Sequence, residues 1–173
     1  MEPAKGFENQ WRNWFGTLYE TYYCELACEA LVSRWERIDL VTGFLVAITA
    51  SGSTIAGWAL WTSPGGKLVW ASVASIAALA SIARSVLGVA GRVKDQEEVR
   101  RLFSELRVEL ETFREHLAVA ADPAQVLTEY DKLRAKFSQC MGRWRKDIAL
   151  TSGLERTVKE RLDGILRRKE HTK

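Results

Sequence analysis

The chain has 173 residues, with 25 Lys and Arg against 22 Asp and Glu and a formal net charge of +3 at pH 7. That length suits one domain, and so small a net charge gives no global attraction for a nucleic acid polymer, which is not expected as a partner. Cys24, Cys28 and Cys140 are too few for a secreted disulfide framework, and the i, i+4 pair Cys24 and Cys28 has no second pair or nearby His to complete a metal site, so reduced thiols, no metal and no cofactor are expected.

Apolar residues are unevenly spread. Across residues 40–91 only Lys67 and Arg84 are charged, whereas the rest of the chain is dense in Glu, Arg and Lys, a pattern that describes a chain meeting two solvents. Residues 1–39 read as a cytoplasmic amphipathic helix leading to a membrane, with Phe7, Trp11, Trp14, Phe15, Leu18, Tyr22 and Leu26 recurring at helical spacing. The polar side is acidic and anionic headgroups would repel it, so the aromatic stripe is expected to pack against later helices of the same chain rather than lie on a membrane surface. The first apolar run follows some forty residues that include Trp11, Trp14 and several acids, so it is expected to be retained rather than cleaved as a secretory signal.

Residues 40–61 carry no charge over 22 positions, about 33 Å of helix, which is enough to span a bilayer. Ser, Thr and Gly would also suit a buried helix of a soluble bundle. The membrane reading is favoured because a second comparable run follows and Trp58 and Trp61 fall where an interfacial belt would lie. Residues 62–67 contain Pro64, Gly65, Gly66 and Lys67 and read as a tight turn, and residues 68–88 return across the membrane. Only Lys67 sits in the turn, while Arg34, Arg37, Arg92, Lys94, Arg100 and Arg101 flank the other side, so both termini are expected in the cytoplasm and the chain in the inner (cytoplasmic) membrane as a multi-pass protein.

Small residues dominate both spans. Gly43, Ala47 and Ala50 in the first and Ala71, Ala74 and Ala78 in the second are candidates for close helix packing, and a homo-oligomer would use more of that surface than a lone hairpin does. Thr42, Thr49, Ser53 and Ala56 or Gly57 share one helical stripe, which reads either as the lining of a pore or as hydroxyls bonded to their own backbone. Arg84 either snorkels to water or forms a basic ring at the inner mouth of an oligomer.

Residues 92–173 read as a cytoplasmic helical hairpin followed by a basic C-terminal helix. Val99, Phe103, Leu106, Leu110, Phe113 and Leu117 follow steps of 4 and 3, a coiled-coil period that asks for a long partner, and the first four join the oligomer-packing candidates. The segment Ala121, Asp122, Pro123 stops that helix and starts another, with Leu127, Tyr130, Leu133, Phe137, Met141 and Trp144 on one face. A last helix from about 152 to 168 is expected to be capped by Ser152 with Glu155. Residues 140–173 hold ten Lys or Arg against five acids, which reads either as a headgroup-binding tail or as a solvated helix end. With only His116 and His171, no Gly-rich phosphate loop and no nucleophile beside a base, an enzyme is not expected.

The order is thus an aromatic helix, then Arg34, Trp35, Glu36, Arg37, Ile38 and Asp39 leading into a Ser-, Thr- and Gly-rich span, a Pro-Gly turn, a second small-residue span, and a helical tail opening with Arg92, Val93 and Lys94. Over about residues 10–150 this order resembles the SLATT family, the two-transmembrane effector domains associated with bacterial nucleotide-signalling and antiphage systems. The resemblance implies a membrane effector that oligomerises and forms a pore or disrupts the membrane when a partner system senses infection. No fused nucleotide-binding sensor is visible, which leaves a sensor protein, a diffusible nucleotide second messenger or constitutive opening as triggers. The expected architecture is all-α, a membrane protein with a transmembrane hairpin and a cytoplasmic bundle. Its function is read as an ion channel or pore-forming effector, with a non-conducting membrane scaffold or a soluble helical bundle as the alternatives.

Overall fold

Breaks in the apolar and charged periodicity set the elements. A computed structural model describes residues 8–60, 64–119, 123–144 and 147–171, and every regular element among them is helical: α1 Glu8–Leu60, α2 Pro64–Leu87, α3 Val89–Val119, α4 Pro123–Arg143 and α5 Ser152–His171. Two prolines open helices, as a residue without an N–H does best where that N–H has no intrahelical acceptor. Pro64 therefore starts α2, and residues 64–67, expected in a turn, are helical; residues 61–63 lie outside the described residues. Pro123 likewise starts α4.

Between α2 and α3 the chain is interrupted at Gly88, whose φ of 56° lies in the left-handed region that costs residues with a Cβ. Its amide donates to the Ser85 carbonyl at 3.3 Å, and its own carbonyl accepts from the Arg92 amide at 3.1 Å, so the break leaves these two groups bonded. Before α5, the Asp147 carboxylate accepts from the Ala149 amide at 2.9 Å, and the Thr151 carbonyl accepts from the Glu155 amide at 3.0 Å. The capping position is thus Thr151, one residue earlier than the expected Ser152, because the N-cap is the residue whose carbonyl takes the first helical bond.

The structure divides into two compact units, Met1–Val32 with Asp95–Lys173, and Ser33–Lys94. The first is a helix bundle. In α1, Trp14, Leu18, Tyr22, Leu26, Cys28 and Leu31 are buried, which continues the aromatic stripe with small and aliphatic residues. Phe15, expected on the stripe, is 47% exposed, because a neighbour of Trp14 is turned about a quarter of the way round the helix. The α3 helix runs antiparallel to α1: Trp14 donates its Nε1–H to the Leu110 carbonyl at 2.8 Å, and Arg107 reaches Glu25 at 2.7 Å.

The α4 helix folds back along α3, as the stacked rings of Phe113 and Tyr130 and the pairs Glu109–Lys136 and Glu98–Arg143 show. Its buried face is Val126, Tyr130, Leu133 and Cys140. Leu127 and Met141, expected on that face, are exposed, because the face is set one position back at each of those turns. In α5, Val158 and Leu162 are buried, and Arg161 pairs with Glu29 at 3.0 Å.

The second unit contains the end of α1, all of α2 and the first residues of α3. Trp35 and Val89 are buried, and the Arg92 guanidinium lies 5.2 Å from the Trp35 ring centroid, so the returning chain meets the outgoing one at a cation–π contact.

Candidate functional site

The described exposed large apolar side chains are concentrated in the second unit. Of sixteen, eleven belong to it: Leu40, Val41, Phe44 and Leu45 on α1, and Leu68, Val69, Val73, Ile76, Leu79, Ile82 and Val86 on α2. Isolated exposed leucines are ordinary on soluble proteins, but a helix whose large apolar residues are exposed turn after turn is not. Residues Gly65–Ile82 form one helix long and apolar enough to cross a membrane, with mean hydropathy 1.4 and 12% of it buried inside the chain.

Three of the described hydroxyls in this unit are bonded locally. Thr42 donates to the carbonyls of Ile38 at 2.7 Å and Asp39 at 3.1 Å, Ser72 to Leu68 at 3.0 Å, and Ser75 to Ala71 at 2.8 Å. Such back-bonding satisfies a hydroxyl without water, as an apolar solvent requires. Of the pore-lining candidates, Thr42 is therefore half-buried and engaged with its own backbone, and the side-chain positions at Thr49, Ser53, Gly57 and Arg84 lie outside the described residues. Among the small packing residues, Gly43 and Ala74 are half-buried, Ala47, Ala71 and Ala78 are exposed, and the Ala50 side chain lies outside the described residues.

The remaining packing candidates are placed differently. Val99 is 8% exposed, Leu106 3%, and Phe103 and Leu110 fully buried, all within the first unit. They pack inside one chain, where the long partner that their period asks for is supplied by α1 and α4.

The first unit also holds a polar cluster. Arg107, on α3, bonds Glu25 at 2.7 Å through Nε, approaches Glu111 at 3.4 Å, and lies 5.3 Å from the Tyr22 ring centroid, while the Tyr22 hydroxyl donates to Glu111. Burial works against the charge on Arg107, but the negative charge of Glu25 and the guanidinium's hydrogen bonds to Tyr22 and Glu25 outweigh it and hold the guanidinium above its ordinary range. Beside this, the Thr17 and Tyr130 hydroxyls share a hydrogen bond at 3.0 Å. A groove of about 270 Å³ between α3 and α4 is floored by Leu102, Leu106 and Cys140 and edged by Glu105, Glu109, Lys136 and Arg143.

Cys24, Cys28 and Cys140 are free and buried, and the Cys24 sulfur lies 3.9 Å from that of Met141. Burial, with smaller contributions from Cys28 and Glu20, pushes the Cys24 thiol up to about 12. Burial does the same for Cys28 against the pull of Arg100, and it raises Cys140 against that of Arg143. Neutral thiols held this firmly are poor nucleophiles. Among the described residues no group of three His, Cys, Asp or Glu is placed to hold a metal ion.

No family model, curated protein or solved structure matches this chain. The features above therefore rest on the chain's own geometry. Sequence reasoning reached the apolar character of Gly65–Ile82 through its missing charges. It missed the cluster of Tyr22, Glu25, Arg107 and Glu111, of which only the i, i+4 pair Arg107 and Glu111 is a local signal.

Proposed function

We propose that this chain is an integral membrane protein of the inner membrane, crossing it twice and acting as an oligomeric ion channel or pore-forming effector, as the resemblance to SLATT effector domains implies. One observation supports the membrane part: the helix Gly65–Ile82 is apolar and only 12% buried by its own chain, as a helix covered by another apolar medium would be. At roughly 25 cal/mol per Å² of apolar surface, leaving seven large side chains of one helix in water is unfavourable by several kcal/mol. Acyl chains remove that cost.

Residues 40–61, free of charge, would supply the other crossing, with both termini on the cytoplasmic side as the flanking Arg and Lys residues favour. Oligomerisation follows from the small exposed residues Ala47, Ala71 and Ala78, since helices in lipid associate through close packing and not through hydrophobic drive. The trigger in this reading is a sensor protein or a nucleotide second messenger acting on the first unit.

The groove between α3 and α4, with both charge signs at its edge, favours a second reading in which the chain is a non-conducting scaffold docking a soluble partner. Reconstitution into vesicles separates the two. Ion flux that is lost when Ala71→Leu and Ala78→Leu block the small faces supports the channel, and silence with every trigger supports the scaffold. Recovery of the whole chain in the aqueous phase without detergent would overturn both in favour of a soluble helical bundle.

A further inference from the structure

The α5 helix advances in the same direction as α1. Trp144, before α5, meets the ring of Tyr23 edge-on at 6.5 Å, and Arg161, inside α5, pairs with Glu29 at 3.0 Å, so the chain moves along α1 as it moves toward its C-terminus. Beyond Arg161, Arg167 and Arg168 lie six and seven residues further on, about 9–10 Å at helical rise. The first unit's share of α1 ends at Val32, only three residues beyond Glu29, and its share of α3 begins at Asp95. The C-terminal end of α5 therefore lies at the end of this unit from which the chain leaves and to which it returns.

That end is basic. Residues 164–173 contain Arg167, Arg168, Lys169 and Lys173 against Glu170 alone, and Arg167 and Arg168 are exposed. Upstream, Arg161 is paired with Glu29. Leu162, buried, anchors the helix upstream of the basic residues. Positive charge at the end of the unit where the chain leaves it has, on the membrane reading above, a natural counter-surface in anionic headgroups.

We propose that the basic end of α5 docks on the anionic lipid headgroups of the membrane that the hairpin enters, which fixes the helical bundle against the bilayer surface. The inference rests on the membrane reading above. Each basic residue near an anionic surface strengthens binding about fivefold, so Arg167, Arg168 and Lys169 together give an effect on the order of a hundredfold.

The test uses the full chain in vesicles of phosphatidylcholine alone and in vesicles with phosphatidylserine mixed in, with amide hydrogen exchange read along α5. Phosphatidylserine is expected to slow exchange over residues 162–171, by up to about a hundredfold, while α4 is unchanged, and added salt is expected to remove the effect. The triple variant Arg167→Gln, Arg168→Gln, Lys169→Gln, which keeps good helix formers, is expected to lose the response. Equal exchange in both lipids, or an equal response from the variant, would overturn the proposal. So would the same slowing from inorganic phosphate added to phosphatidylcholine vesicles, which would mark a site for free anions. Flotation with neutral vesicles reads the hairpin separately. A chain that floats but shows no lipid-dependent protection overturns the docking of α5 and leaves the hairpin standing, whereas a chain that does not float overturns both.

Discussion

The substitution Ile76→Lys distinguishes an acyl environment from an aqueous one, because its cost differs in size and not merely in detail. Ile76 is 56% exposed and lies near the middle of the apolar helix Gly65–Ile82. If water covers that surface, replacing an exposed apolar residue with Lys changes stability by no more than about 0.5 kcal/mol. If lipid covers it, Ile contributes a few tenths of a kcal/mol in favour of insertion and Lys opposes it by about 2.5–3.5 kcal/mol, a difference of about 3–4 kcal/mol. That lowers the ratio of inserted to uninserted α2 several-hundredfold. Leu127, 43% exposed on α4, is the matched control, since Leu127→Lys should be neutral under either reading. The assay is protease protection of α2 in membranes, together with the fraction of chain resisting alkaline carbonate extraction. We expect Ile76→Lys to expose α2 to protease while Leu127→Lys behaves as the parent. Two variants that both match the parent, in its protease protection and its resistance to extraction, would refute the argument that α2 is covered by lipid.

Three further substitutions and treatments test the packing. Arg107→Met should destabilise the helical bundle by about 2 kcal/mol in denaturant titrations, because it leaves Glu25 and Glu111 half-buried without their shared cation, and Arg107→Lys should restore little, lacking the planar fork that bonds Glu25 while reaching Glu111. Gly88→Ala should lower stability by about 1–2 kcal/mol in thermal unfolding, a purely conformational cost, since an added Cβ meets nothing within 4 Å but must adopt a φ of 56°. At pH 8 the native chain should react with a thiol reagent at Cys24 and Cys28 about a thousandfold more slowly than the chain in urea, the ratio set by thiols moved from 9.0 to about 12. Because these folded thiols sit above their unfolded values, the stability tied to them is intact below about pH 9 and is lost as pH rises toward 12. Rapid labelling of both native thiols at pH 8 would contradict this burial.

What the sequence disclosed depended on whether the signal was local. Charge-free runs and the helix-opening Pro123 act on their own neighbourhoods, so the all-helical class and the start of α4 follow from residues read in order. Pro64 still shows the limit of such reading, because its effect as a breaker of the preceding helix and its suitability as the first residue of the next are the same property seen from two sides. Faces were harder. The coiled-coil period in α3 gave Val99, Phe103, Leu106 and Leu110 correctly as one stripe, but a period states that a partner exists and not whether it belongs to the same chain. In α4 the steps at 127 and 141 fitted the helical period as well as the true positions 126 and 140 did, and only contact with α1 and α3 selects between them. The cluster around Arg107 joins residues over eighty positions apart, which no local pattern encodes.

The two units also differ in what their surfaces imply about solvent. In the bundle, charged side chains reach across helices: Arg107 to Glu25, Lys136 to Glu109, Arg143 to Glu98 and Arg161 to Glu29, three of these four pairs being largely exposed. Pairs of that kind contribute little individually, yet they demand no dry environment and their free valences are met by water. In the second unit the described hydroxyls of Thr42, Ser72 and Ser75 bond carbonyls of the preceding turn, as those of Thr112, Thr128 and Thr157 do in the bundle, and the difference is that large apolar side chains take the outer positions. Such a bond forms in either solvent, but only for a hydroxyl facing hydrocarbon does it avoid a penalty of several kcal/mol for an unmade hydrogen bond. Exposed leucines alone would fit an uncovered interface between proteins, and inward-bonded hydroxyls alone would fit any helix. Their coincidence along the same helix, in a stretch with no charge between Lys67 and Arg84, is what lipid explains with the fewest additional surfaces.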